Sequence, residues 1–471
     1  MARTGMKFIS QCISGLMSDR DSLRRKIMAS AALSTMVFVM QVLARIVSTI
    51  VLTRILTPEI FGVFAVVMTF IFVLEMFSDL GVRSLILTRE GELDDGFLRS
   101  CWTAQILRGV LILLVCILLA FGISWGQGAE WFDPKSSYGD PTLPFAIAAI
   151  GGFSIISGFA SPAKFVYERE MKFRQVSKET LIRVVLTTVI TIGLAFWLRN
   201  IWALVLGNLA GALIMVVLSY AMFPGPAMRL NWALDDFRVI IERGKWIIGH
   251  SALSAVTVMA DRFVLGFAMS ASSFGFYYIA RQIVDIVETF LNTVHAQMGL
   301  QVFTELHKDG EEASLRRRYY RYRILFDSLA MFGAGTLMTF APTLVGIIYD
   351  DRYADVAGMI QILSVGLILI GPRLLREAYS AQRRFREMTV LSLVSAATIW
   401  VGLLIAIWGF GSTTLALFVV ALHRIPEVTA LLVMGRREGW VSLLHEVRLM
   451  PLVLVGAAVG WGMAELWAAA T

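Results

Sequence analysis

Long apolar runs joined by short polar connections dominate this chain. Thirteen such runs are read at 27–50, 60–82, 103–124, 144–163, 181–198, 201–223, 246–267, 275–298, 324–348, 357–377, 388–409, 413–434 and 449–468. About 20 residues at ~1.5 Å of helical rise cross ~30 Å of hydrocarbon, so each run is long enough to span a bilayer. They are far longer than the ~10-residue alternating segments of a membrane barrel. The pattern predicts an all-α integral membrane protein, a polytopic bundle with one transmembrane helix per run.

A repeat lies inside the pattern. The elbow Val51-Leu-Thr-Arg-Ile-Leu-Thr-Pro-Glu-Ile-Phe-Gly-Val-Phe64 returns 213 positions later as Val264-Leu-Gly-Phe-Ala-Met-Ser-Ala-Ser-Ser-Phe-Gly-Phe-Tyr277. A second echo has an offset of 212, where Tyr167-Glu-Arg-Glu-Met-Lys-Phe-Arg174 matches Tyr379-Ser-Ala-Gln-Arg-Arg-Phe-Arg386. Two echoes at nearly one spacing argue for internal duplication of a multi-helix unit. The expected division is a cytoplasmic tail at 1–26, a six-helix lobe at 27–223, a cytoplasmic amphipathic linker at 224–245 and a second six-helix lobe at 246–434. Residues 435–471 add a cytoplasmic loop and a further helix.

Composition agrees with a membrane chain. Of 471 residues, 57% are hydrophobic and 16% charged, and mean hydropathy is +0.71; a soluble chain is nearer a quarter charged. The net charge of +7 raises nucleic acid as a partner, but the positions of the cations exclude it. The tail and the connections after even-numbered runs carry Arg24-Arg25-Lys26, Arg83, Arg89, Arg99, Lys164, Arg169, Lys172 and many others, whereas the opposite side has only Arg54, Lys135, Arg199 and Arg352. The positive-inside rule makes the crowded side cytoplasmic. The amino terminus is then inside and the carboxyl terminus outside. The basic–aromatic run Arg316-Arg-Arg-Tyr-Tyr-Arg-Tyr-Arg323 reads as an interfacial helix against anionic lipid. The first run lacks a small-x-small cleavage site and is expected to be a retained span. Cys12, Cys101 and Cys116 fall outside the outer loops, so no disulfide framework is expected.

Charges inside the runs are the candidate chemistry, because each is costly in hydrocarbon unless it meets protein, water or a counter-ion. Arg45, Arg108, Arg183, Arg262, Arg281 and Arg424 all fall there. Arg108 and Arg183 sit near cytoplasmic ends and can snorkel. Arg281, Asp285 and Glu288 are spaced i, i+4, i+7 and share one helical face. With Asp261 and Arg262 they form either an ion-pair seam or a polar cavity wall. Glu75 and Asp79, also i, i+4, are expected to line an inner gate or to pair with Arg373 or Arg376. The five histidines show no metal spacing, and neither a P-loop nor a C-x-x-C motif occurs, so no cofactor is expected.

Arg54-Ile-Leu-Thr-Pro-Glu-Ile-Phe-Gly-Val-Phe64 with Phe77-Ser-Asp-Leu-Gly81 resembles the first helical hairpin of bacterial oligosaccharide flippases. These Wzx-like proteins form the polysaccharide-transporter branch of the multidrug/oligosaccharidyl-lipid/polysaccharide exporter superfamily. Asp261-Arg262, Gly266 and Gly275-Phe-Tyr-Tyr-Ile-Ala-Arg281 resemble the seventh and eighth helices of the same group. The resemblance implies two pseudo-twofold-related lobes around a central cavity in the bacterial inner membrane. It also implies outward flipping of undecaprenyl-pyrophosphate-linked oligosaccharide by alternating access, for surface polysaccharide. The expected partners are that lipid-linked oligosaccharide, membrane lipids, and the polymerase and glycosyltransferases of the pathway. Arg45, Arg281 and Arg424, with Arg262, would then hold the pyrophosphate, since arginine grips phosphate oxygens through a planar fork. Asp261 or Asp285 are the candidates for H⁺ or Na⁺ coupling. The rival readings are a cation-coupled multidrug exporter, which needs an acidic or aromatic cavity, and a membrane polysaccharide polymerase or ligase, which needs a large outer loop. Export of a lipid-linked peptidoglycan precursor would differ only in cargo.

Overall fold

The computed structural model describes residue 33 and residues 36–89, 91, 93–309, 312–382, 384–442, 446 and 450–470; side chains at 246, 250, 293–318, 321–322, 325–326, 381, 385 and 470 lie outside the description. The expected tail and His445 lie outside the described residues, as do the side chains of His250, His295, His307 and most of the Arg316–Arg323 run. Helices build everything else. They are α1 (Met36–Ile55), then α2 (Pro58–Phe77), α3 (Val82–Thr88), α4 (Asp95–Gly128), α5 (Leu143–Gly158), α6 (Ala163–Arg169), α7 (Phe173–Leu198) and α8 (Ile201–Met222). There follow α9 (Leu234–Val258), α10 (Ala260–Ala268), α11 (Ala271–Asp309), α12 (Glu312–Ile348), α13 (Val356–Ser364) and α14 (Leu374–Ala381). The chain ends in α15 (Phe385–Leu404), α16 (Thr413–Leu422), α17 (Ile425–Arg437) and α18 (Pro451–Ala470). Among the described residues no strand forms, and the one β-type pairing is the isolated bridge between Ser136 and Ser270.

Ten helices of the described chain are long and apolar enough to cross a membrane, and two bent pairs raise the number to twelve. Helix α11, 39 residues long, coincides with the eighth apolar run and differs from the others by carrying Arg281, Asp285 and Glu288. The molecule is a multi-pass membrane protein. Its outward face is apolar to a degree water would not tolerate: Leu118 is 71% exposed, Phe121 74% and Trp197 80%. Acyl chains solvate such side chains, while the helices satisfy their own backbone hydrogen bonds.

Helix breaks fall where the sequence demands or permits them. The fourth run bends by 61° between α5 and α6, where Pro162 supplies no N–H for a continuing ladder. The expected linker at 224–245 is not a separate element. Nothing between Leu234 and Val258 stops a helix, so its amphipathic half runs without interruption into the seventh run as α9, and the 41° bend comes later, at Met259. Between α13 and α14 the tenth run passes through two 3₁₀ stretches, Val365–Leu369 and Gly371–Arg373, the latter containing Pro372.

Both echoes in the sequence are echoes in geometry. At the elbows, Leu56 N donates to Leu52 O at 2.8 Å and Met269 N donates to Leu265 O at 2.8 Å. Helices α2 and α11, which follow them, cross in reciprocal contact. A Cβ on Gly62 would lie 2.0 Å from Ala271 O, and one on Gly275 would lie 2.0 Å from Pro58 O. Pro58 and Ala271 are themselves 213 apart, as are Gly62 and Gly275. The contact is therefore self-complementary, as a local twofold axis requires. In the second echo, Lys172 N donates to Tyr167 O at 2.9 Å and Arg384 N to Tyr379 O at 3.1 Å. The cation then lies over the tyrosine ring in both copies, at 4.7 Å and 4.8 Å.

The last helix, α18, is fastened to α12 by small residues. A Cβ on Gly335 would meet Val453 O at 2.0 Å, and one on Gly456 would meet Phe332 O at 2.2 Å. Thr339 Oγ1 donates to Ala457 O at 2.9 Å across the same interface. In lipid, where apolar burial gives helices little reason to associate, close backbone approach and hydroxyl bonds of this kind supply the attraction.

Candidate functional site

Two cavities open on neighbouring faces of α11. The first, of about 530 Å³, is lined by α1, α2, α7 and α8, with Phe153 from α5 and Tyr278 and Gln282 from α11. The second, of about 910 Å³, is lined by α9, α10, α14, α15 and the α16–α17 junction, with Arg281 from α11. Helical spacing explains the division: positions 278 and 282 are one turn apart on one face, and 277, 281 and 288 lie on the next.

The second cavity holds most of the in-span charge. Arg281 pairs with Asp285 at 3.0 Å and with Glu288 at 3.2 Å. Arg262 reaches Asp285 at 3.2 Å, and Arg424 donates from Nη1 to the other oxygen of Glu288. These five side chains make one continuous chain of alternating charge from α10 through α11 to the α16–α17 junction. Asp261, 3% exposed, accepts the hydroxyl of Tyr277 and, at 2.8 Å, the backbone N–H of Arg262. Arg281 and Arg424 line the cavity while engaged in the ion-pair seam, and Asp261 lines it while hydrogen-bonded to Tyr277. Arg262 does not line it; its Nη1 donates to Met259 Sδ at 3.1 Å.

Two arginines at the expected cytoplasmic end of the tenth run stand in the wall beside Arg424. Arg376 pairs with Glu427 at 2.7 Å and donates to Ser392 Oγ at 2.7 Å. Arg373 is different. Among the described residues it belongs to no ion pair, its Nη1 is 3.5 Å from Asn292 Oδ1, and its Nε is buried with no hydrogen-bond partner. The 3₁₀ turn at Gly371-Pro372 brings Arg373 inward from what reads as the end of an apolar run. That Gly-Pro pair, immediately before the cations, was the available signal.

The remaining candidates lie elsewhere. Arg45 lines the first cavity with Arg183, so Arg45, Arg281 and Arg424 do not share one cavity; α11 stands between them. Arg183 is held by Glu179 at 3.2 Å, and Lys164 binds the same carboxylate at 2.6 Å. Glu75 accepts a hydrogen bond from Ser154 Oγ at 3.1 Å, and Arg108 approaches Glu75 at 3.9 Å and Asp79 at 4.0 Å. The expected partners Arg373 and Arg376 line the second cavity instead, and Glu75 and Asp79 join the nearer cation. Asp79 also accepts the N–H of Gly81 at 2.9 Å, which fixes the turn into α3.

On the side of the elbows the two halves are clasped shut. Tyr353 donates its hydroxyl to Leu56 O at 2.8 Å, and Arg352 Nη2 donates to Thr53 O at 3.1 Å. From the other half, Ala271 N donates to Lys135 O at 2.9 Å.

Comparison with known proteins places this architecture. A curated relative, the lipopolysaccharide biosynthesis protein WzxC of Escherichia coli (strain K12), is 20% identical over 347 residues, covering 73% of this chain and 67% of that protein. Among solved structures, the lipid II flippase MurJ in an inward closed conformation superposes with a TM-score of 0.66 at 12% identity, over 92% of each chain. An inward-facing multidrug resistance MATE family transporter of the MOP superfamily also gives 0.66, at 14% identity, over 84% of this chain and 94% of that one. These structures, a flippase and a transporter by name, establish the fold. A model of the polysaccharide biosynthesis protein family matches residues 51–358, more than half of the sequence, and the chain belongs to that family.

Proposed function

We propose that this protein carries an undecaprenyl-pyrophosphate-linked oligosaccharide across the bacterial inner membrane by alternating access between two six-helix lobes. The single observation that carries the reading is Arg373, a half-buried side chain in the wall of a 910 Å³ cavity, whose Nε is buried without a partner and which belongs to no ion pair among the described residues. An uncompensated cation in such a place is costly unless an anion visits it. A pyrophosphate is a suitable visitor, since its oxygens match the planar donor fork of arginine. Arg424 and Arg376, already oriented by Glu288 and Glu427, stand beside it.

Several observations support the rest of the reading. The reciprocal Gly62/Gly275 crossing and the paired Tyr–cation turns favour two lobes, 27–223 and 246–434, related by a local twofold axis. The cation asymmetry favours a cytoplasmic amino terminus and an outer carboxyl terminus, with the elbow clasp facing outward. Closed there, the chain is in the inward-directed half of its cycle. Asp261 and Asp285 are both bound to neighbours, so a coupling H⁺ or Na⁺ would have to displace Tyr277 or an arginine. An anion leaving a negative-inside cell already gains about 2.3 kcal/mol per charge per 100 mV.

The test is export in cells at matched expression. Arg373→Gln should leave lipid-linked oligosaccharide on the inner leaflet, and Arg373→Lys, which keeps the charge and loses the fork, should retain part of the activity. Wild-type export by Arg373→Gln would refute the anion site.

A further inference from the structure

We infer that the first cavity is a carbohydrate subsite, which takes the oligosaccharide of the cargo while the arginine-lined cavity takes its pyrophosphate. The inference rests on the proposed function and assigns the two ends of one substrate to the two faces of α11.

The argument begins with hydrogen bonds not made. In the second cavity most polar groups are engaged with one another. In the first, among the described residues, the side chains of Gln41, Arg45, Ser48, Thr188 and Gln282 have no hydrogen-bond or ion-pair partner although all line it. The fifth side chain along α7 from Arg183 to Thr187 adds a stronger case: Thr187 Oγ1 is buried with no partner at all. A buried hydroxyl without a partner costs roughly 1–3 kcal/mol, and a polar ligand would remove that cost.

The donor and acceptor types then choose the ligand. Amides and hydroxyls offer both donors and acceptors at neutral charge, which is what the hydroxyls of a sugar present in return. The lone unpaired cation, Arg45, has five donors and no acceptor, and serves a vicinal pair of sugar oxygens. Phe61, Phe64, Phe153 and Tyr278 complete the wall. Flat aromatic faces cover the C–H faces of pyranose rings and exclude water from them. A pyrophosphate alone would not need these groups; a lipid tail would not tolerate them.

Position agrees with chemistry. Tyr278 and Gln282 open into the first cavity and Arg281 into the second. One helix thickness, about 10–12 Å with side chains, separates the two, close to the reach of a few sugar residues from their phosphate.

The experiment uses the whole protein in lipid nanodiscs and two probes: undecaprenyl pyrophosphate, and the undecaprenyl-pyrophosphate-linked glycan isolated from cells in which export is blocked. Wild type should bind the glycan-bearing probe at least about tenfold more tightly than the bare one. Gln282→Leu and Asn208→Leu, the latter also on the first-cavity wall, should reduce that preference to near unity while leaving the affinity for bare undecaprenyl pyrophosphate unchanged. Arg373→Gln should weaken both probes by the same factor. Equal binding of the two probes by wild type overturns the subsite, as does an equal loss for both probes in the two leucine variants. A failure of Arg373→Gln to weaken the bare probe would instead count against the anion site and leave the sugar preference to be read on its own. Thermal unfolding of each variant identifies any that fails to fold, and Gln282→Glu then replaces Gln282→Leu, since it keeps the volume and adds a charge that a neutral sugar would not favour.

Discussion

The two cavities beside α11 solve opposite problems. The larger one concentrates charge and then neutralises nearly all of it internally, through Arg262–Asp285–Arg281–Glu288–Arg424 and Arg376–Glu427. The smaller one has few charges and, among the described residues, leaves the side chains of Gln41, Arg45, Ser48, Thr188 and Gln282 and the hydroxyl of Thr187 without partners, with Arg183 paired to Glu179. The difference separates structure from recognition. Where charges satisfy each other they fix helices in place, and what is left over, a single guanidinium on Arg373, is available to a ligand.

The largest effect expected from that contrast is in the larger cavity. Glu288 is the carboxylate shared by Arg281 and Arg424, so Glu288→Gln removes the link that joins α11 to the α16–α17 junction, leaving Arg424 without its carboxylate and Arg281 with Asp285 alone. Breaking a buried pair typically costs about 3–5 kcal/mol. The variant should express at low level or unfold many degrees earlier than wild type in a thermal scan. The matched change in the smaller cavity, Thr188→Val, removes no protein–protein bond and should shift the transition very little. Comparable losses from both would mean that the smaller cavity is also a structural network.

How much of this was legible follows from what each residue needs. The runs, the span pattern and the elbow repeat are written in hydropathy and in short motifs, and Gly62 and Gly275 were visible as an aligned pair before their contact was known. Arg281, Asp285 and Glu288 could be set on one face because helical spacing alone decides it. What spacing could not decide was which side of α11 each neighbour would occupy. Arg45 was therefore grouped with Arg281 and Arg424, although α1 places it across the helix from them. Arg373 was hidden for a different reason. Its inward position depends on a 3₁₀ turn inside an apolar run, and hydropathy reads the end of such a run as a loop. For Glu75 and Asp79 spacing leaves open an inner gate or pairing with Arg373 or Arg376, and only the tertiary packing of α4 on α2 brings Arg108 within reach of both.

The helix that divides the cavities gives the next effect. Gly275→Ala would place a methyl group where Pro58 O now lies, against backbone rather than a movable side chain. Overpacking at such a contact costs roughly 1–3 kcal/mol, and the crossing of α2 and α11 would have to widen. The reciprocal change, Gly62→Ala, meets Ala271 O at the same 2.0 Å and should cost a similar amount. Thermal unfolding of the two single variants checks this. A large loss in one and none in the other would contradict the local twofold symmetry inferred from the reciprocal contacts.

The smallest effect lies outside the spans, in the clasp on the side of the elbows. Asp350 accepts from Arg352 Nη2 at 2.6 Å, and that guanidinium also donates to Thr53 O and Arg54 O. The bond from Arg352, with its charge, holds the Asp350 carboxyl below its usual range. Because the folded-state value is depressed, the associated stability is fully present above the unfolded value of about 3.9 and is lost as pH falls through the lower folded value. The clasp should therefore be insensitive to pH between about 5 and 8. Asp350→Asn should weaken it at pH 7 by no more than about 0.5–1 kcal/mol, since both side chains are partly exposed and solvent screens the pair. The deficit should shrink as pH is lowered through the folded carboxyl's range, where wild type loses the same charge. Parallel thermal scans of wild type and variant across that range test the sign: a deficit that grows with acidity would show that Asp350 acts by something other than its charge on Arg352.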